Sequence, residues 1–464
     1  MRTALIKLPA TYADWYKRPA LGIAYIAACL QAKGYDCKIF DAYFHSWSQN
    51  ELLEHVKSYN PDVAGITAMT HEINNAANIA ASIKTHMDIP VIIGGCHITA
   101  LPQKTLAEFP GFDYGVYGEG EETAAELLSK NIHQKNKVLP LNDIKGLVFR
   151  NKDQIIVNEP RSFLTSEELD ALPYPAFDDY YANDPQALAN KHSYYTLFTS
   201  RGCPYNCAFC MQVLGRKVRQ RSPQNIIREI NLAVKNYGAH TFDFADEIFL
   251  FGDKHTRDLL ELFIQQGFSS RIKWSALTRA NFVNPELITL AKKAGCCRLA
   301  MGVESGDDPI LESIGKGITV EQIRKAVAII KKAGILLDTY YILGHPGETA
   351  ETLRKTAYLA AELNTDNIAV GLMVPYPGTR IFDMATSGQY GYRLLSQNWN
   401  EYDKYGGKVL EIKGLPYKDL LKWQKKILLF FYLKNFRFLD CFKFFWKRRR
   451  ALFFVVKKMF LGQQ

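Results

Sequence analysis

The chain has 464 residues, of which 47% are hydrophobic, and its formal net charge is +10. This length is enough for two or three domains with cores of their own, and the composition excludes an intrinsically disordered chain, while no apolar run approaches the ~18 residues that cross a bilayer. The charge is uneven, because residues 422–464 hold twelve Lys or Arg and one acid, whereas the first 421 residues carry a net charge of −1.

Strand-like runs alternate with helical patterns through residues 1–135. The predicted strands are residues 3–8, 36–43, 62–69, 90–95 and 113–118, and the predicted helices are residues 21–34, 51–59 and 74–87. This alternation predicts an α/β domain in which five parallel strands form a doubly wound sheet. The ligand of such a sheet lies beyond the carboxyl ends of its strands.

Residues 136–190, which include a hairpin-like stretch at 146–160, are predicted to be a connector. A second alternating series follows, with strands at residues 194–200, 240–246, 272–279, 297–305, 337–344 and 367–375, and well-signalled helices at residues 223–238, 285–295 and 319–334. Six consecutive βα units predict a partial (β/α)6 barrel of the TIM type over residues 191–385, with a C-terminal helical region at residues 386–464. In such barrels the chemistry takes place at the carboxyl ends of the strands.

Three cysteines, Cys203, Cys207 and Cys210, directly follow the first predicted barrel strand. Nine cysteines in a chain with no secretory signal favour metal or redox chemistry over disulfides. A structural zinc site requires four protein ligands, so three cysteines alone make a poor zinc site. Three thiolates suit an iron-sulfur cube with one exposed iron, and the alternative is that the cysteines cluster by chance in a loop.

With an aromatic residue at Phe209, the cysteine spacing resembles the CxxxCxΦC motif of the radical S-adenosylmethionine (radical SAM) superfamily. The resemblance implies that the cysteines hold three irons of a 4Fe-4S cluster and that the amino and carboxylate groups of SAM bind the fourth. Reduction of such a cluster cleaves SAM to a 5'-deoxyadenosyl radical. We therefore expect a barrel enzyme in which the protein orients a substrate against that radical.

The resemblance also implies SAM contacts at later strand ends. The second barrel strand is followed by Asp246 and Glu247, of which Glu247 is our candidate for the methionyl amine. Arg279 follows the third strand and fits a bidentate pair with the methionyl carboxylate, although a surface salt bridge would explain it equally well.

The fourth and fifth strand ends complete the expected SAM site. Glu304 and Ser305 correspond to the ribose-binding position. Gly344 corresponds to the glycine-rich end that lies along the adenine, although Gly344 and Gly347 would also serve a plain turn, and Glu348 would fit as a first-turn acid of the next helix. The sixth strand ends in VPYPGT, which recurs in the cobalamin-dependent branch of the superfamily.

The N-terminal block resembles the Rossmann-like cobalamin-binding domain of that branch. The residues that carry the resemblance, and that it implies lie near the corrinoid, are Thr67, Thr70, Gly94, Gly95, His97, Gly118 and Glu119. Glycines at strand ends let the backbone approach a bulky ligand closely. The first loop, DWYKRPALG, has no histidine, so the resemblance implies a lower corrin face without a histidine ligand from that loop. His97 is an axial ligand, a polar loop residue near the corrin, or merely a capping group.

These resemblances predict that the enzyme methylates an unactivated carbon of a small or lipid-like substrate, with a 4Fe-4S cluster, SAM and cobalamin as cofactors. One alternative is oxidative cyclisation or rearrangement without methyl transfer, as in the anaerobic magnesium-porphyrin ester cyclase. Another is a corrinoid or redox sensor that does not turn over. A flavodoxin or ferredoxin is the expected electron donor.

Bulky aromatic residues and cations alternate in the C-terminal stretch at residues 428–460. The stretch is consistent with amphipathic helices that pack on the barrel, with helices that also contact the inner face of a membrane, or with a nucleic-acid surface, which we consider the weakest interpretation. Substrate specificity is expected to lie in loops and in the C-terminal region at residues 386–464, including Trp399 and Tyr402. We expect a cytoplasmic protein with peripheral membrane contact at most.

Overall fold

The computed structural model describes residues 1–9, 18–134, 140–182, 194–443 and 446. Its first sheet has seven strands: β1 (Arg2–Lys7), β2 (Asp36–Asp41), β3 (Val63–Thr67), β4 (Val91–Gly94), β5 (Tyr114–Val116), β6 (Leu147–Asn151) and β7 (Gln154–Val157). They lie in the order β2-β1-β3-β4-β5-β6-β7, with β1 to β5 parallel and β6 and β7 antiparallel. The five predicted parallel strands are confirmed, but the sheet is larger than predicted, because β6 and β7 extend it.

The hairpin that the sequence placed in a connector extends this sheet. In β6, Leu147, Val148 and Phe149 are buried, and Val148 pairs with Gly115 at the edge of the parallel part. The apolar hairpin thus covers the last parallel strand, whose backbone groups would otherwise lack partners.

Helices cover both faces of the first sheet, as a doubly wound fold requires. They are Leu21–Ala32, Ala42–His45, Gln49–Tyr59, Ile73–Met87, Cys96–Ala100, Pro102–Glu108 and Glu121–Ser129, with a 3-10 turn at Thr70–Glu72. Ser48 and Glu51 form a capping box that starts the third helix. The buried stripe of Ile73–Met87, which includes Ile79 and Ile83, packs in the core.

The second half of the chain forms an open parallel barrel. Its strands in chain order are β8 (Tyr195–Leu197), β9 (Ser200–Arg201), β10 (Arg219–Gln220), β11 (Thr241–Phe244), β12 (Lys273–Thr278), β13 (Cys296–Glu304), β14 (Leu336–Leu343), β15 (Asn367–Leu372), β16 (Tyr392–Leu394) and β17 (Leu410–Ile412). Strands β8, β11, β12, β13, β14 and β15 lie in this order in one parallel sheet, so the predicted six-stranded partial barrel is confirmed. β9 pairs with β10, and β16 pairs with β17, both antiparallel.

The helices of this half pack outside the barrel. They are Ser166–Ala171, Asp178–Tyr181, Pro223–Tyr237, Lys254–Gln265, Phe268–Arg271, Pro285–Lys293, Asp308–Ser313, Val320–Lys332, Ala350–Leu363, Arg380–Thr386 and Tyr417–Lys434, with 3-10 turns at Ala280–Phe282, Gln389–Gly391 and Trp399–Glu401. The expected capping box of Thr319 and Gln322 is present. In β14, Leu337, Tyr341 and Leu343 are buried under the helices, and alternate residues face the barrel interior.

The C-terminal region begins with the β16–β17 hairpin, and its helix Tyr417–Lys434 lies against β15, where Gln424 donates to the carbonyl of Val370 at 2.8 Å. Residues 444–464, apart from Trp446, lie outside the described part of the chain, and about half of the basic aromatic stretch at 428–460 is among them. Within the described ranges, every helix is too short or too polar to span a bilayer.

Candidate functional site

The three motif cysteines lie in the loop of a small hairpin at the barrel mouth. β9 and β10 pair through Arg201 and Arg219, and residues 202–218 form the loop between them. Cys203 donates its backbone N–H to Gly215 at 3.1 Å, across the base of the loop. Gly202 has φ +97°, and a Cβ there would lie 2.3 Å from the Lys217 carbonyl oxygen, so this tight turn requires glycine.

The cysteine side chains are neighbours. Cys210 is exposed at the surface, but desolvation of its thiol within the loop, together with the charges of Cys207 and Cys203, raises its pKa to about 11. Among the described residues, no three His, Cys, Asp or Glu side chains converge on a single metal ion. A cubane needs a wider arrangement, because each thiolate binds a different iron, and three reduced cysteines on one loop fit that donor set.

Loops that follow other barrel strands hold the cysteine loop from outside. Ala208 donates its backbone N–H to the Ile314 carbonyl at 2.8 Å and accepts from the backbone of Ile381 at 3.0 Å. Arg380 donates to the carbonyl of Asn206 at 3.0 Å. The cysteine loop is therefore fixed against the same barrel rim that carries the expected SAM contacts.

Arg279 is buried beside the cysteines, so the alternative of a surface salt bridge is wrong. Its guanidinium lies 3.4 Å from the ring centroid of Tyr205, and burial lowers the pKa of the group. Neither Nη atom has a hydrogen-bond partner. A buried cation with two unused N–H groups is suited to bind a carboxylate through both of its oxygens.

The two acids after β11 differ in their hydrogen bonds. Asp246 is fully buried, and its carboxylate accepts hydrogen bonds from the backbone and hydroxyl groups of Thr199 and Ser200. Glu247 has a buried Oε2 without a partner, and it interacts electrostatically with Cys203 and Cys210. Asp246 therefore fixes the start of the cysteine hairpin, and Glu247 has the oxygen that is free for a ligand.

Glu304 stands at the end of β13 in a left-handed conformation, with φ +67°. Lys316 donates to its Oε1 at 2.7 Å, and the Lys316 ammonium lies 5.9 Å from the ring centroid of Phe209 in the cysteine motif. A Cβ on Gly302 would lie 2.2 Å from Glu304 Oε1. The acid, the lysine and the glycine therefore form one unit next to the cysteine loop.

The remaining predicted SAM residues lie in adjacent loops. Ser305 is buried, and its Oγ accepts from the backbone N–H of Asp307 at 3.3 Å. Gly344 has φ +105° and donates its N–H to Glu348. Burial raises the pKa of Glu348 to about 8, against the effect of the two backbone hydrogen bonds that it accepts from Gly344 and His345. Glu348 is thus a structural acid of the turn. The prediction that it is a first-turn acid is wrong, because the helix begins at Ala350 and its first-turn acid is Glu351.

The predicted cobalamin residues converge at the carboxyl ends of β3, β4 and β5. Gly95 has φ +101°, and a Cβ there would lie 2.9 Å from the Thr67 hydroxyl. Thr99 donates to the Gly95 carbonyl at 2.8 Å and accepts from the Gly118 N–H at 3.1 Å. Gly118 has φ +78° and open space where its Cβ would point, as expected beside a large flat ligand.

The other predicted cobalamin residues are held differently. The Thr70 hydroxyl is buried without a partner, and Gly94 has only backbone oxygens, at 3.9 Å, near the position of a Cβ. His97 is fully buried, with its ring centroid 4.9 Å from that of Trp399, and burial, with Lys104 nearby, lowers its pKa to about 4. Its role as a cobalamin ligand stays a prediction, but its position shows a packing contact with the C-terminal region.

Glu119 lies in a buried ion cluster. Its carboxylate accepts from Arg201 at 3.0 Å, from Arg219 at 2.9 Å and from the backbone N–H of Leu164 at 2.7 Å. Both oxygens are engaged, so the contacts that the structure gives this residue are with the barrel. A corrin contact stays a prediction.

Sequence reasoning missed four residues at the site: Tyr205, Lys316, His345 and Thr99. Tyr205 stands inside the cysteine motif, and its position alone was a usable signal. Lys316 follows a helix twelve residues beyond Glu304, and no local pattern connects the two. His345 is fully buried with both ring nitrogens unpartnered, 6.1 Å from the Phe209 ring.

Comparison with known families agrees with this geometry. Residues 16–128 match the B12 binding domain, and residues 197–360 match the radical SAM superfamily. An uncharacterised methyltransferase of Pyrococcus horikoshii is 32% identical over 90% of this chain and 88% of its own length. The chain belongs to the cobalamin-dependent radical SAM enzymes.

Three further similarities agree with this membership. The anaerobic magnesium-protoporphyrin IX monomethyl ester cyclase of Rubrivivax gelatinosus is 30% identical over 78% of this chain and 66% of its own length. The fold matches the radical SAM methyltransferase TsrM from Kitasatospora setae, solved with cobalamin and a [4Fe-4S] cluster bound, with a TM-score of 0.71 and 18% identity over 92% of this chain and 90% of that one. The radical SAM enzyme OxsB, solved with aqua-cobalamin and SAM, gives a TM-score of 0.74 and 17% identity over 92% of this chain and 66% of that one.

Proposed function

We propose that this enzyme methylates an unactivated carbon of a small molecule, using a 4Fe-4S cluster, SAM and cobalamin. The observation that carries the proposal is the buried, unpaired guanidinium of Arg279 beside the three cysteines and Glu247. When bound, the cluster supplies the electron that cleaves SAM, and cobalamin supplies the methyl group. The protein provides binding groups, orientation and protection from water.

Each site residue has a role in this proposal. The thiolates of Cys203, Cys207 and Cys210 hold the cluster. Arg279 pairs with the methionyl carboxylate through both Nη atoms, and Glu247 accepts from the methionyl amine. The remaining proposed SAM and cobalamin contacts are Thr67, Thr70, Gly94, Gly95, His97, Gly118, Phe209, Glu304, Ser305 and Gly344, whereas Asp246 and Glu119 are engaged by protein groups.

The cluster is tested by changing all three motif cysteines to alanine in anaerobically purified protein. We expect the variant to lose bound iron and sulfide, because the thiolates are the ligands. Cys441→Ala is the matched control, since Cys441 lies far along the chain in the C-terminal region. A triple variant with its full iron and sulfide content would contradict the proposal.

The reaction type is tested by product counting. Methylation consumes two SAM molecules, one of which leaves as methionine and 5'-deoxyadenosine and the other as S-adenosylhomocysteine. We expect the two nucleoside products in equal amounts when a substrate is methylated. The second candidate, oxidative cyclisation or rearrangement, is favoured by the similarity to the cyclase and gives 5'-deoxyadenosine without S-adenosylhomocysteine.

The barrel interior is where we propose that the substrate binds. Small residues face inward at Ala300, Gly302, Ala369 and Gly371, where closed barrels carry bulky branched side chains. Tyr340 on the inner face of β14 lies in register with Gly302 and Ala369 and is 40% exposed, and the Arg298–Asp338 pair lies nearer the start of the strands on the same face. This arrangement favours a small substrate with polar groups on the floor and its reacting carbon near the small residues.

We also propose that the segment that follows the helix Tyr417–Lys434 contacts an anionic membrane surface. Phe436, Leu439 and Phe442 are exposed, while Arg437 is anchored to the barrel through the carbonyls of Thr365 and Asp366. Exposed aromatics beside cations are suited to lipid headgroups. Phe436→Ser with Leu439→Ser in the full chain is expected to reduce sedimentation with anionic vesicles; Tyr390→Ser, an exposed aromatic elsewhere, is the control, and an unchanged result contradicts the proposal.

The electron donor is proposed to be a flavodoxin or ferredoxin, because the cluster requires one low-potential electron for each SAM that is cleaved. Reduction by either protein with its reductase, followed as 5'-deoxyadenosine release, tests this. Release with dithionite and none with either protein would assign the role to another donor.

A further inference from the structure

Each of the two strands that support the cysteine loop carries an arginine, and both arginines bind the same carboxylate of the first domain. Arg201 in β9 and Arg219 in β10 pair across the hairpin, and each donates to Glu119. Cys203 lies two residues after Arg201 and Cys210 nine residues before Arg219, so the ligand loop is bounded by these two arginines. A single side chain therefore holds both ends of the loop.

Glu119 belongs to the corrinoid side of the molecule. It follows Gly118, whose open backbone position lies at the end of β5, and it precedes the helix Glu121–Ser129. Arg201 donates its second nitrogen to Glu121 at 2.7 Å and lies over the ring of Tyr25, which is also on the first domain. The contacts thus join the corrinoid strand ends directly to the base of the cysteine loop.

The four ionic side chains of this contact are buried, and their charges cancel. The exposed fractions of Glu119, Glu121, Arg201 and Arg219 are 7%, 6%, 5% and 4%, and two acids face two arginines. Removing one acid leaves an uncompensated buried cation, which is far more costly than loss of a surface pair.

We propose that Glu119 is a positioning residue that sets the placement of the cluster loop relative to the corrinoid, through its ion pairs with Arg201 and Arg219. It acts on the iron ligands through the hairpin and does not itself touch a cofactor. The inference rests on the proposed function in that the cysteines hold the cluster and the first domain holds cobalamin. Its first experiment is nevertheless independent of both cofactors.

That experiment is amide hydrogen exchange in the cofactor-free full chain. Glu119→Gln is expected to speed exchange in residues 202–218 by about tenfold, which corresponds to ~1.4 kcal/mol of local opening free energy. Glu122→Gln is the matched control, because Glu122 pairs with Arg161 at the surface. Unchanged exchange in the loop overturns the inference, whether or not the proposed function is correct.

The second experiment uses the reconstituted enzyme. The magnetic coupling between Co(II) cobalamin and the reduced cluster, measured by electron paramagnetic resonance, is expected to change in Glu119→Gln, while cobalamin affinity stays within about twofold of wild type. A loss of cobalamin affinity with unchanged coupling would instead make Glu119 a corrin contact and overturn the inference. Absence of iron or cobalamin in the wild-type protein would contradict the proposed function. The hydrogen-exchange result would then decide the inference about Glu119 by itself.

Glu119→Asp covers the case in which the glutamine variant fails to fold. It keeps the charge and shortens the side chain by one methylene, so the hairpin is expected to shift without losing its counter-charge. An intermediate change in exchange and in coupling supports positioning. Wild-type values for both contradict it.

Discussion

The substitution Arg279→Met tests whether Arg279 binds a ligand or stabilises the fold. The guanidinium is buried, stacks on Tyr205 and has no partner for either Nη atom. The free protein therefore gains no ion pair from this residue. We expect Arg279→Met to leave the free energy of unfolding within about 1 kcal/mol of wild type, because the lost stacking is offset by removal of an unpaired buried charge.

Binding of SAM is expected to respond in the opposite way. Loss of a two-point, charge-assisted contact costs about 2–3 kcal/mol, which is roughly a 30- to 150-fold increase in Kd. Arg279→Lys keeps the charge but not the planar fork, so its Kd is expected to lie between those of the wild type and the methionine variant. Isothermal titration of SAM into the reconstituted enzyme measures the first effect, and thermal unfolding measures the second.

The control is Arg324→Met, since Arg324 is exposed and pairs with Glu362 on the outside of the barrel. It is expected to change neither SAM affinity nor, by more than a few tenths of a kcal/mol, stability. A methionine variant of Arg279 that binds SAM as wild type does, or that is strongly destabilised without a change in affinity, would refute the reasoning.

Three further predictions concern neighbouring residues. Burial raises the pKa of Glu348 from 4.5 to about 8, so the folded protein favours the protonated acid; stability is present below pH 4.5 and is lost as the pH rises to about 8. Thermal midpoints of Glu348→Gln are therefore expected to fall less over that range than those of wild type. Gly302→Ala places a Cβ 2.2 Å from Glu304 Oε1 and is expected to weaken SAM binding by about tenfold, measured by titration, whereas unchanged binding would separate Glu304 from the SAM site. Trp399→Leu removes the Nε1 hydrogen bond to Glu108 and is expected to lower the free energy of unfolding by about 2–3 kcal/mol, with a shift below 0.5 kcal/mol contradicting an interface role.

The elements of both sheets could be predicted because each depends on local pattern. The five parallel strands of the first domain and the six of the barrel are apolar runs bounded by helices with clear caps, such as Thr319 with Gln322. The sequence predicted the hairpin at 146–160 but not its position at the edge of the first sheet. That position depends on pairing with Gly115, which lies in a strand distant in sequence. Register between separate segments carries no local signal.

The site divides in the same way. The cysteines and the residues after each strand were found because a parallel barrel brings all carboxyl ends to one rim, whatever the loops contain. This rule predicted the position of Arg279 at the rim. It did not predict that Arg279 is buried, because the cysteine loop folds over it. Lys316 and His345 were missed because they contact Glu304 and Phe209 only through the folded loops.

For Glu119, the sequence motif predicted the position of the residue but not its role. The sequence resemblance predicts that Gly118 and Glu119 both lie near the corrin, and the structure gives Gly118 an open backbone position at the strand end. The acid beside it faces the barrel, where two arginines in β9 and β10 neutralise it. Neither arginine is marked by its surroundings in the sequence, so the pairing becomes visible only when both domains are folded together. The chemistry proposed for this enzyme needs two cofactors at a fixed separation, and a buried, charge-balanced contact between their two loops supplies a physical means of fixing it.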